Sequence, residues 1–580
     1  MKYPPARPGS PILPGCFALT LALSLLPSCS PNPSNPTTKN KERIAPAYSV
    51  DPAPPLATTP PIQSQPKDRF EDVTPNTGIT FVHQHCDTKI SNILQSNGSG
   101  VAILDYNLDG LMDIYFVNAG PQENVTHHEP GTPRQPNQLY ENLGNGTFKN
   151  VTQKAGVAGH GYGTAAIASD FDNDGDPDLY VVNFGTNILY QNQGNGTFKD
   201  ITRTAGVEDP LNGIGACFAD YDNDGYLDLF VANYLTFDPD YKLYFNPDAY
   251  PGPLSYKPQL NSLFRNRGNG TFENVSTTTG IQIAGHRGMS VTPFDFDADY
   301  DTDFYLCNDA TPNLLLVNDG HGHFTEEAGL RGVAFNAQGE AAGSMTAAIG
   351  DYNQDLLPDI LVSRLGYGSL YTSTPNKVFE DRMLASKLGQ FTAQYVGWGS
   401  NFIDYDNDGD LDAFVANGDA HHLVGWESLL LRNEGDNTFT DAVEDGGTFF
   451  RQKIRARASV QLDYNNDGQQ DVLVTAMGDR PFLLKNQSKP NDNHWITLQL
   501  KGTTSNRDGF GAWVTITTSS GSQRAEHRCP TAFLGSSDPR LHFGIGPASE
   551  VSKLHIRWPS GKEQTLTEIP ADQILPVQEP

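Results

Sequence analysis

The sequence predicts an all-β fold, a seven-bladed β-propeller followed by a small C-terminal β domain, and three observations carry that expectation. A nine-residue phrase, Asp-(Tyr/Phe)-(Asp/Asn)-x-Asp-x-x-x-Asp, occurs seven times, beginning at Asp105, Asp170, Asp220, Asp295, Asp351, Asp404 and Asp463. Each copy sits between short runs rich in β-branched and aromatic residues, such as Asp113-Ile-Tyr-Phe-Val117 and Leu179-Tyr-Val-Val182, and the starts lie 50 to 75 residues apart, an interval that suits a four-stranded blade with long loops and not a tandem nine-residue β-helix. A fourth-strand phrase, Gly-Thr-Phe-x-x-(Val/Ile)-(Thr/Ser), follows copies one to six in intact or worn form but not the seventh, while an orphan copy, Phe70-Glu-Asp-Val-Thr74, precedes copy one. A strand near residue 70 that completes the last blade pairs the two ends of the chain and removes the open sheet edge.

Within a blade the strands follow in order. The innermost carries small residues where blades crowd the axis, as in Gly163-Thr-Ala-Ala-Ile-Ala168. Then come the Asp-rich loop, the apolar second strand, a third strand such as Asn137-Gln-Leu-Tyr-Glu-Asn142, an Asn-Gly turn at Asn145, Asn195 or Asn269, and the fourth strand over Phe148 to Thr152, Phe198 to Thr202 and Phe272 to Ser276. Asn-Gly supplies the positive φ angles of a tight hairpin. The blade reads as a meander.

The loops point to a hard cation. At positions one, three, five and nine the copies hold Asp105, Asn107, Asp109 and Asp113; Asp170, Asp172, Asp174 and Asp178; Asp220, Asp222, Asp224 and Asp228; Asp295, Asp297, Asp299 and Asp303; Asp351, Asn353, Asp355 and Asp359; Asp404, Asp406, Asp408 and Asp412; Asp463, Asn465, Asp467 and Asp471. Carboxylates crowded in this way repel one another unless neutralised, and an all-oxygen ligand set selects Ca²⁺ over softer metals, at up to seven sites. The spacing follows the first half of an EF-hand loop but closes on Asp at position nine, with strands as flanks in place of helices.

These repeats resemble the FG-GAP (VCBS) repeats of integrin α-subunit and cartilage acidic protein propellers. The tail resembles the ASPIC and UnbV domain, through His494-Trp495-Ile496, Ser505-Asn506-Arg507-Asp508, Leu541-His542-Phe543-Gly544 and Trp558-Pro559-Ser560-Gly561. The resemblance implies a calcium-binding propeller and no particular reaction. The loop glycine is replaced at Tyr300 and Leu356, so sites four and five are expected to bind weakly or to be occupied differently. The C-terminal domain, from 491 to 580, alternates apolar residues over Ile496-Leu498-Leu500, Val514-Ile516 and Leu554-Ile556-Trp558 and is expected to pack on the propeller of residues 67–490.

Ahead of the propeller, residues 1–29 carry Lys2 and Arg7, an apolar run from Phe17 to Leu26, and Cys29. This reads as a secretory signal of lipoprotein type, with Cys29 the lipidated residue. Residues 30–66, dense in Pro, Ser, Thr and Asn, read as a disordered tether. The protein is therefore expected to be exported, at the bacterial cell envelope or outside the cell, and held at a membrane only through a lipid. Net charge is −29, which argues against a nucleic-acid partner. Cys86, Cys217, Cys307 and Cys529 follow the leader, and their spacing specifies no disulfide.

The meander puts the Asp-rich loops and Asn-Gly turns on one face. The long insertions, Ala119 to Pro136 and Tyr234 to Gln259, lie on the other, together with the shorter Gly418 to Glu427. Binding sites favour variable loops on a rigid scaffold. Around the channel mouth on that loop-rich face the sequence sets His160, Arg287, Trp398 and Arg457, which suit an anionic or sugar ligand or else plug the channel. Signatures such as His-Glu-x-x-His, Gly-x-Ser-x-Gly and the Walker loop do not occur. The leading reading is a monomeric module that binds a protein or glycan; the alternative is a polysaccharide lyase or hydrolase with its active site at the channel mouth.

Overall fold

The computed structural model describes residues 57–65, 67–241, 250–488 and 493–580. Cys29, the signal segment and the tether as far as residue 56 lie outside the described residues. Seven antiparallel sheets with meander order make up the propeller. Their innermost strands are Val101–Leu104, Tyr162–Ser169, Gly213–Ala219, Gly288–Phe294, Ser344–Gly350, Gly397–Ile403 and Ala456–Leu462, which we number as blades 1 to 7. Each inner strand touches the next, and that of blade 7 touches that of blade 1, so the sheets close a ring. Small residues there have a steric cause: a Cβ on Gly163 would lie 2.4 Å from Val117 Cγ1, and one on Gly399 2.6 Å from the backbone N of Ser459 in the next blade.

The outer edge of blade 7 is Phe70–Asp72, paired antiparallel with Phe482–Asn486 at Phe70 to Asn486 and Asp72 to Leu484. Phe70 is fully buried, its ring 5.8 Å from Phe450 and 6.3 Å from Tyr405. Buried Asp72 pairs with Arg480 at 2.6 Å.

Two expectations change in detail. The fourth strands are only three residues long, as in Phe148–Asn150, and the Val-Thr half of the phrase turns into a one-turn helix, Thr152–Ala155. Asn150 Oδ1 accepts from both the N–H and the hydroxyl of Thr152, whose Oγ1 in turn accepts from Leu139 N. This local bonding draws the backbone out of the ladder. The tether also ends before residue 66: Thr59 donates from N and Oγ1 to Asp479, Arg480 donates to the carbonyls of Thr59 and Pro60, and Ile62 joins the core of blades 6 and 7. A low-complexity composition did not reveal these contacts because, on the segment's side, they come from one threonine, one isoleucine and backbone carbonyls.

The C-terminal module packs a three-stranded sheet, built on His494–Lys501, against a four-stranded one built on Ala512–Thr518. Ile496, Leu498, Val514, Ile516, Leu554, Ile556 and Trp558 fill the space between them, and all are fully buried.

A chain starting at residue 57 is expected to match the melting temperature of the whole protein. One starting at residue 75 loses Phe70 and the Asp72 pair and is expected to lose about 3–5 kcal/mol and to aggregate through its bared edge. Calorimetry and light scattering of the two truncations check this, and equal behaviour would reject the closure.

Candidate metal loops and propeller faces

Each Asp-rich loop is organised by its own carboxylates. The first-position Asp accepts from the N–H groups of positions five and six in all seven copies, at 2.7 to 3.2 Å. The ninth-position Asp accepts through Oδ1 from the backbone N–H that ends the third strand of its own blade, at 2.7 to 2.8 Å. Position four takes a positive φ in every copy, between 55° and 62°, which suits the Asn found there in four of them.

The third position shows the fit to a cation. Asp172, Asp222 and Asp297 each have one oxygen held by a neighbour: Gln191 at 2.6 Å, Arg265 at 2.7 Å and Lys377 at 2.9 Å respectively. The other oxygen, Oδ1 in each case, is buried without a hydrogen-bond partner, and so are Asp406 Oδ1 and Asn465 Oδ1. Buried acceptors left unpaired are costly, and a divalent ion would satisfy them.

In loops 2, 3 and 6 the carboxylates of positions one, three and nine come within 4.8 Å of one another, and in loop 4 those of positions one, three and five. Loops 1, 5 and 7 have Asn at position three, whose amide donates to the fifth-position Asp. Loop 4 therefore gathers its ligands although Tyr300 replaces glycine. Tyr300 and Leu356 both adopt the left-handed conformation at φ 74° and 69°, and the Arg557 guanidinium lies over the Tyr300 ring at 3.5 Å. Burial pushes the carboxyls of Asp113 and Asp359 up to about 8 and those of Asp178, Asp228 and Asp412 well above the usual range.

The C-terminal module covers this face. Trp513 Nε1 donates to Asp295 Oδ2 at 3.0 Å, and Glu526 Oε2 accepts from Asp295 N at 2.9 Å. Asp508 accepts from Asp170 N at 3.0 Å, Arg507 N donates to Asn173 at 2.7 Å, Arg540 donates to Asn466 at 2.7 Å, and His542 bonds Asn407 at 2.8 Å. Residues 531–536 form a hairpin inside the channel, where Gly535 and Ser536 pair in parallel with Val101 and Ala102 of blade 1.

The hairpin changes the expectation for the channel mouth. Trp398 is buried, donates from Nε1 to Gly418 O at 2.7 Å, and packs 5.4 Å from Phe533 of the hairpin. Arg457 is 1% exposed, stacks on Trp398 at 4.0 Å and donates to the carbonyls of Ser96, Ala456 and Asp419. Arg287 is buried and donates to the carbonyls of Pro253, Tyr256 and Gly285. His160 alone of the four is exposed. Residues 93–100 enter from the other side, and Val101 N donates to Leu534 O at the hairpin tip. The channel is filled from both ends, so these cations serve carbonyls and do not form an open mouth. Cys86, Cys217, Cys307 and Cys529 are free thiols.

Sequence reasoning missed the asparagine that ends the third strand. Asn142 Nδ2 donates to Tyr464 O of blade 7 at 2.7 Å, and Asn192, Asn266, Asn318, Asn433 and Asn486 make the equivalent bond to an Asp-rich loop outside their own blade. Its signal was present in the repeated Leu-(Tyr/Phe/Leu)-x-Asn ending, which reads as strand.

The geometry defines a β-propeller whose inter-strand loops carry Asp-rich groups that could bind metal ions. Residues 105–181, 170–231, 295–362, 351–415 and 404–474 match the FG-GAP-like repeat family, and residues 502–580 match ASPIC and UnbV. The chain belongs to the FG-GAP-like repeat family. It is 27% identical to human cartilage acidic protein 1 over 335 residues, 54% of this chain and 46% of the relative, and 26% identical to the mouse protein, of which it covers 48%. The chain thus spans about half the length of these relatives. Among solved structures, an Agrocybe aegerita lectin specific for non-reducing terminal N-acetylglucosamine aligns at 16% identity with a TM-score of 0.36, covering 61% of this chain and 84% of the lectin.

Calcium at a hundred times its Kd is expected to stabilise the protein by about 2.7 kcal/mol per linked site, with the gain shrinking as pH falls from 8 to 6, because protons compete for carboxylates that burial makes basic. Calorimetry with calcium and with chelator at both pH values checks this; no shift at either would refute the ligand assignment. Replacing Arg457 by Met is expected to cost about 3 kcal/mol of stability by leaving buried carbonyls unpaired, with calcium content unchanged by elemental analysis.

Proposed function

We propose that this chain is an exported, calcium-stabilised propeller that acts as a protein- or glycan-binding module at the cell envelope through its loop-rich face. The observation that carries this reading is the exposed apolar surface over blades 5 and 6. Leu365 and Tyr367, in the loop between the second and third strands of blade 5, are 53% and 45% exposed, and Leu384 in the link to blade 6 is 58% exposed. Leu384 and Tyr367 both crowd Gly389, and the adjoining Tyr395 and Trp426 rings meet edge to face at 5.5 Å. Contiguous exposed apolar and aromatic side chains mark interaction surfaces. The opposite face is occupied by the C-terminal module.

Calcium supports this role by ordering the strands that carry the loops. The unpartnered third-position oxygens support the ion, and the charged, apolar and Cys29-ending leader supports export. The enzyme alternative placed its active site at a channel mouth that Arg457, Trp398 and the 531–536 hairpin fill.

The test is binding of the calcium-loaded protein to arrayed polysaccharides and to intact envelope preparations, with a Leu365→Ser, Tyr367→Ser double variant beside it. Binding weakened at least tenfold in the variant, with unchanged melting temperature and calcium content, is the expected result. Binding equal in both proteins would remove the face from consideration.

A further inference from the structure

A cavity of about 180 Å³ lies between the C-terminal module and the inner ends of blades 4 to 7. It shares Glu526, Arg528 and His542 with an adjoining space of about 150 Å³ that reaches the exposed Gln354, so the two lead to solvent. Neither module encloses it alone: Ser400 and Asn401 come from blade 6, and Glu526, Arg528 and Thr531 from the C-terminal module.

Its lining has bonding capacity that the fold does not use. Ser400 is 3% exposed and its Oγ has no hydrogen-bond partner. Asn401 Nδ2 donates to Ser459 at 2.8 Å, and no described donor reaches its Oδ1. Glu526 is 6% exposed; its Oε2 accepts from Asp295 N, and its carboxylate has no ion-pair partner within 4.0 Å among the described residues. Arg528 donates to Ile349 O at 2.7 Å and to Glu526 O at 3.4 Å, which leaves three of its five N–H groups unengaged among the described residues. The other guanidinium lining it, Arg540, has four of its five N–H groups engaged by Asp538, Asn466 and Asp463 O.

Glu526, near the end of the strand Gly521–His527, and Arg528, just beyond it, both line the cavity. A buried carboxylate and a half-buried guanidinium are each stabilised by meeting an opposite charge. A ligand bearing both, with a carboxylate for the planar donors of Arg528 and an ammonium for Glu526, satisfies them together. The size of the cavity suits a molecule of about ten non-hydrogen atoms, and the hydroxyl of Ser400 and amide of Asn401 offer further bonds.

We propose that this inter-module cavity is a binding site for a small zwitterion of free α-amino acid size. It does not depend on the loop-rich face and would exist only where the propeller and the C-terminal module occur together.

The test uses the full chain loaded with calcium. Each of the twenty common amino acids, with glucose and galactose as uncharged controls, is screened by thermal shift and then titrated calorimetrically. At least one amino acid is expected to bind with a Kd below about 1 mM. Glu526→Gln and Arg528→Met should each weaken it at least tenfold. Because Glu526 also accepts from Asp295 N, Ser400→Leu serves as a second variant that fills the space and leaves both charges in place; it should abolish binding while calcium content and circular dichroism stay unchanged. Binding by no amino acid, binding of the hexoses instead, or amino-acid binding indifferent to all three substitutions would each overturn the proposal, as would a crystal structure at saturating ligand with only water in the cavity.

Discussion

The interaction on which the rest of this structure depends is the buried aspartate that closes each loop. Asp113 and its six counterparts sit at the start of the second strand, and Oδ1 takes the N–H at the end of the third. In six loops Oδ2 also takes the N–H of position two. One carboxylate thus fixes the loop to two strands. Where the third strand ends in asparagine, the residue that donates its N–H to this aspartate also reaches a loop outside its blade, as Asn142 reaches Tyr464 O across the join between blades 1 and 7. Blade geometry, ring closure and the Asp-rich loops are therefore one hydrogen-bonded system, and a cation that neutralises the aspartates would strengthen all three.

The C-terminal module is fitted to that system and is more than an appendage. It bonds to loop backbones and loop carboxylates, notably Asp295, which takes the Trp513 indole N–H and gives its own N–H to Glu526. Such contacts depend on the loops holding their shape, so the module's seat and the state of the loops are coupled. Its hairpin occupies the channel that a propeller of this size leaves at its axis, and the segment leading into blade 1 completes the filling. Buried Arg457 becomes tolerable there because three carbonyls and the Trp398 ring surround it.

The two glycine replacements show how local strain is offset by packing. Tyr300 and Leu356 hold positive φ angles that bulky residues avoid, yet Tyr300 lies under Arg557 and Leu356 lines the space beneath the C-terminal module. At Tyr300 a side chain that glycine lacks contributes a contact to the second module.

By itself the sequence determined the all-β class, the position of the seven loops, the strand order within a blade and the orphan strand that completes the last one. These are set by local chemistry: alternate carboxylates, β-branched runs, Asn-Gly turns and a phrase missing from one end and present at the other. It also supplied the side chains of the Asp-rich loops, because those side chains lie within nine residues of one another. Only the tertiary structure decided the fate of Arg287, Trp398 and Arg457, since whether a cation lines an opening or serves carbonyls depends on what packs against it: residues 93–100 and 531–536 for Arg457 and Trp398, and the insertion that carries Pro253 and Tyr256 for Arg287. It likewise decided that Thr59 and Ile62 belong to the folded body, and that Glu526 and Arg528 face blade residues more than a hundred positions earlier in the chain. Contacts made over such separations leave no periodicity to read, because they arise from the docking of two modules whose strand patterns are each complete without the other.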